Sequence, residues 1–96
     1  MDYYSHEVPR TVETAVNYTV KIGDDRVHAT AACTITLYSA VGRKRRVTIL
    51  RTYMAGAVTT VAAKLGETIN GVASKNLAAQ WNTLTLYTHN GAWYIE

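Results

Sequence analysis

Apolar and polar side chains alternate with a period of two through most of this chain, which suits strands whose two faces meet different surroundings. Ala29, Ala31, Cys33, Ile35 and Leu37 fall on one side of an extended run, with Thr30, Ala32, Thr34, Thr36 and Tyr38 on the other. Val47, Ile49 and Arg51 oppose Thr48, Leu50 and Thr52. Between Thr14 and Ile22, Val16, Tyr18, Val20 and Ile22 oppose Ala15, Asn17, Thr19 and Lys21. Near the end, Leu84, Leu86 and Thr88 precede a return run holding Trp93 and Ile95. Composition agrees, because 14 Thr, 10 Val and 7 Tyr are residues that fit a pleated surface.

The runs are punctuated by turn chemistry. Gly23-Asp24-Asp25 and Gly42 separate alternating segments, and Asn70-Gly71 and Asn90-Gly91 suit tight turns that need positive φ. Asn90-Gly91 between two alternating runs predicts a hairpin over residues 84–95. Residues 54–65 allow two readings. Val58, Val61, Ala62 and Leu65 form a helical stripe, yet Val58-Thr59-Thr60-Val61 is β-branched throughout and disfavours a helix. The expected fold is all-β, a small antiparallel β-sandwich or barrel-like module over residues 14–96. Residues 1–13, with the sole proline at Pro9, are read as an N-terminal leader or linker.

A chain of 96 residues buries a limited core, and 13 of its apolar residues are Ala, with no Phe. Cys33 is the single cysteine, so no internal disulfide is available, and His6, His28 and His89 are too scattered for a zinc-type cluster. No metal or cofactor is expected, and oligomerisation is left as the supplement to the core. Met1-Asp2-Tyr3-Tyr4 lacks the cationic and apolar parts of a signal peptide. The stretch from Asn76 to Ile95 is free of Lys, Arg, Asp and Glu but rich in amides and Thr, so a soluble chain without a membrane span is expected.

Net charge is +3, and four of the ten basic residues are Arg43, Lys44, Arg45 and Arg46. Clustered cations attract phosphates or anionic glycans, and a solvated turn is the plain alternative. Nucleic-acid binders of β type add exposed aromatics for stacking, and none lies between Tyr38 and Tyr53. Tyr3 and Tyr4 in the leader, and Trp81 ahead of the last hairpin, are candidates for a subunit or receptor contact, whereas Trp93 shares the face of Ile95 and belongs in the core. No catalytic residues are expected: the acids fall in turns and at termini, and Cys33 shares the apolar face of Ile35 and Leu37.

The order Val27-His-Ala-Thr30, Thr34-Ile-Thr-Leu37-Tyr-Ser-Ala40, Gly42-Arg43, Val47-Thr-Ile49, Gly66-Glu-Thr-Ile-Asn-Gly71, Leu84-Thr-Leu86 and His89-Asn-Gly-Ala-Trp-Tyr-Ile95 resembles the short β modules of bacteriophage tail fibres and tail spikes. The resemblance spans roughly residues 18–95 and departs at Tyr38, where that family has proline, and at the long basic run. It implies a non-enzymatic structural module of a virion appendage, made in the host cytoplasm. Such a module forms a homotrimer, meets other virion tail proteins and helps host attachment, with a host-surface glycan as a further partner. It also favours a strand over residues 57–63. The alternative is a small basic β-barrel binding nucleic acid through residues 43–46.

Overall fold

The computed structural model describes residues 10–42 and 44–96. Among these described residues are nine strands: β1 (Thr11–Thr14), β2 (Tyr18–Thr19), β3 (Arg26–Ala29), β4 (Thr34–Thr36), β5 (Arg46–Arg51), β6 (Thr59–Ala62), β7 (Ser74–Leu77), β8 (Thr83–His89) and β9 (Ala92–Ile95). They form two sheets, ordered β1-β3-β5-β8-β9 and β2-β4-β6-β7. The expected all-β class is what the chain adopts, and residues 59–62 of the ambiguous segment are strand.

The first six strands visit the two sheets in turn, and each neighbour pairing among them is parallel: β1 with β3, β3 with β5, β2 with β4, and β4 with β6. Parallel neighbours need a connection that returns to the starting end. Here each return crosses the opposite sheet, so the chain winds as three stacked rungs. The antiparallel strands β7, β8 and β9 then close the two sheets on one side. The expected antiparallel arrangement thus holds only for this closing part, and both sheets are mixed.

The winding also corrects the expected strand lengths. The alternation from residues 14 to 22 is not one strand, because β1 ends at Thr14 and β2 starts at Tyr18. The Thr14 hydroxyl donates to the Val16 carbonyl (2.9 Å) and accepts from the Val16 amide (3.3 Å), bending the chain toward the other sheet. The run from residues 29 to 38 bends likewise between β3 and β4, where both the Thr30 amide and hydroxyl donate to the Thr14 carbonyl. One rung on, the Thr52 amide and hydroxyl donate to the Ala29 carbonyl in the same way. Each threonine replaces ladder hydrogen bonds lost at its corner; the inward alternation continues round the bend from Ala29 to Ile35, whereas at the Thr14 corner Val16 turns out to solvent. β1, Thr11–Thr14, takes in the last residues of the stretch read as a leader or linker.

The inward faces of both sheets meet in one core holding Val27, Ile49, Leu86 and Trp93 from the first sheet and Ile35, Val61 and Leu77 from the second. Trp93 is fully buried, tilts against Tyr38 with ring centroids 5.3 Å apart, and donates its indole N–H to the Tyr38 carbonyl. Arg51 continues the inward face of Val47 and Ile49 and is 2% exposed. Its guanidinium donates to the carbonyls of Tyr53, Leu77 and Met54 and lies 4.0 Å from the Tyr53 ring centre, so it links the end of β5 to β7 in the opposite sheet.

Candidate functional site

The basic run sits on a return connection. The first return, between Thr19 and Arg26, takes residues 20–25; the equivalent stretch one rung on, between Thr36 and Thr48, takes residues 37–47. Insertions in such connections disturb the ladder little, and binding residues concentrate in them. The longer return carries Lys44, Arg45 and Arg46 beside the β8–β9 hairpin. Arg43, Tyr3 and Tyr4 lie outside the described residues.

Three sets of contacts hold this connection. Glu67 accepts from the Ser39 hydroxyl (2.6 Å) and the Ala40 amide (2.8 Å). At its far end the Arg45 amide donates to the Thr88 hydroxyl (2.9 Å), and the Thr88 amide donates to the Arg45 carbonyl (3.0 Å). Arg46 then enters β5 opposite Tyr87 and pairs with Glu96 at 2.6 Å. Lys44 and Arg45 are exposed and, among the described residues, form no ion pair.

The hairpin supplies the opposite wall. Asn90 and Gly91 have φ of 49° and 77°, the positive values that a two-residue turn of this type requires. Gly91 brings the turn close to the basic connection: a Cβ there would lie 3.6 Å from the Val41 side chain. Leu86 and Thr88 point inward, so Tyr87 and His89 point outward at this end of β8. Tyr87 pairs in register with Tyr94 and stacks on it at 5.8 Å and 29°, while the His89 ring tilts against Tyr94 at 6.3 Å.

Between the two walls lies an open cleft of about 840 Å³, lined by Lys44, Arg45 and Arg46 on one side and by residues 87–91 on the other. Among the described residues, no carboxylate lines it. The aromatic ring missing from the sequence neighbourhood of the cations therefore arrives from β8, 41 residues further along the chain, through the Arg46–Tyr87 register. Tyr87 and His89 carried a faint signal, as outward positions beside Asn90-Gly91. Their neighbourhood depends on β5 pairing with β8, which no local pattern reports.

The other sequence candidates lie elsewhere. Trp81 is 63% exposed in a turn where its own φ is 69°, and its amide donates to the Arg51 carbonyl (2.7 Å), away from the cleft lining. Asn70 and Gly71 form the tight turn expected of them, with φ of 49° and 85°. Cys33 is buried in the core cluster, and burial raises its thiol pKa, which keeps it protonated. Asp24 is buried and accepts from the Tyr18 hydroxyl (2.6 Å) and the Lys21 amide (2.9 Å), while Arg10 Nε lies 3.1 Å from its other oxygen. Desolvation, then the Asp24 hydrogen bond and charge, raise the Tyr18 pKa. These contacts tie the first return connection to β1. Among the described residues, no group of three or more His, Cys, Asp or Glu is placed to hold a metal ion, and no helix is long and apolar enough to cross a membrane.

The chain matches no known protein-family model, no curated protein and no solved structure.

Proposed function

We propose that the chain is a non-enzymatic structural module of a phage tail fibre or tail spike, assembling as a homotrimer with other virion tail proteins and helping to present the appendage to the host surface. The stacked winding carries this reading. Each rung adds one strand to both sheets, so the fold extends along one axis, as a rigid appendage requires. Two further features support it. Strands β1 and β2 are edges of their respective sheets. Large apolar side chains also stand in solvent, Leu65 at 99% and Met54 at 77% exposure among them. Light scattering on the purified chain at micromolar concentration tests it. A mass three times the 10.6 kDa of one chain is expected, and 10.6 kDa would overturn it.

A second reading, nucleic-acid binding through the same basic connection, draws on one observation: the outward ring of Tyr87 stands in register with Arg46. It predicts a salt-dependent mobility shift of single-stranded or duplex nucleic acid.

A further inference from the structure

We propose that the cleft between the basic connection and the β8–β9 hairpin binds a sugar ring bearing a sulfate or phosphate ester. The site is formed within one chain, so it stands or falls separately from trimer assembly.

Charge is the first ground. Arg46 is neutralised by Glu96, but Lys44 and Arg45 face the cleft with no ion-pair partner among the described residues and with no carboxylate in the lining. An oxyanion there meets a compact ammonium and a guanidinium able to donate two parallel hydrogen bonds. Pre-organisation is the second. Thr88 holds the Arg45 backbone at both its amide and its carbonyl, so the stem of that guanidinium is fixed by the fold and not by a ligand.

Shape and lining select the sugar. Tyr87 lines the cleft and is 39% exposed, with Tyr94 stacked against it outside the lining. A supported ring with a free face suits the C–H face of a pyranose. His89, Asn90 and the Tyr87 hydroxyl provide donors and acceptors for ring hydroxyls. A volume of about 840 Å³ falls in the range of small-ligand sites. Proteins that track a nucleic-acid strand set successive aromatics along a basic groove. In this cleft one tyrosine faces the cations.

Calorimetric titration of the intact chain with a sulfated heparin-derived tetrasaccharide, its desulfated counterpart, glucose 6-phosphate, inorganic sulfate and a single-stranded oligonucleotide tests the assignment. Binding of the sulfated or the phosphorylated sugar is expected, and the stronger of the two identifies the ester. Loss of at least ten-fold in affinity is expected on desulfation if the ester is sulfate, and in the K44Q/R45Q variant at unchanged melting temperature. Tyr87→Ala should weaken sugar binding at least five-fold while leaving inorganic sulfate unaffected, and it keeps the test decisive if the double variant folds poorly. No binding of either sugar, sulfate binding as tight as the sugar ester, or a preference for the oligonucleotide overturns the proposal.

Discussion

Arg51 illustrates how one side chain sets the character of its surroundings. Its place on the inward face of Val47 and Ile49 is readable from the alternation, which predicts burial without saying what could satisfy a cation there. The fold answers with three carbonyl acceptors and a tyrosine face. A guanidinium can bond in several directions at once, which an ammonium on a flexible stem cannot reproduce. Replacing Arg51 with Ala strips the Leu77 carbonyl of this partner, and the expected loss of unfolding free energy is about 3 kcal/mol, the scale for breaking a buried charged network. Arg51→Lys should recover only part of it. Urea denaturation reads both variants, and a loss under about 1 kcal/mol for the alanine variant would mean that the corner relaxes or admits water.

At the level of the elements, the turns were more legible than the strands. Asn90-Gly91 forms its hairpin because the dipeptide itself reaches positive φ, a property local to two residues. Gly91→Val should cost about 1 to 3 kcal/mol, since a β-branched residue is strained at this φ of 77° and its side chain would also press toward Val41. Thermal unfolding measures it, and an unchanged midpoint would show that the turn does not constrain the β8–β9 pair. The strands beginning at residues 14 and 29 were over-extended in the sequence reading because alternation continues through a corner. The bend at Thr30 preserves the inward and outward order, and at the Thr14 bend only Val16 leaves it, so the pattern alone does not report that the chain has changed sheets.

For the whole molecule, the winding leaves β1 and β2 as sheet edges beside a small core built mainly of Val, Ile and Leu around Trp93. If copies complete one another's burial, association and folding are linked, and the melting temperature should rise as protein concentration rises. Scanning calorimetry over a hundred-fold concentration range checks this; a constant midpoint would indicate a fold sustained by one chain. The all-β class, the Asn-Gly turns and the inward faces of β5 and β8 were determined by the sequence alone, because alternation and the steric freedom of Asn-Gly act between near neighbours in the chain. Which strands pair was decided only by the tertiary structure. The register joins Val27 to Ile49 in parallel and Arg46 to Tyr87 in antiparallel fashion. It depends on distant backbone hydrogen bonds and on closing one shared core, a collective choice in which the cations met an aromatic wall that local sequence does not encode.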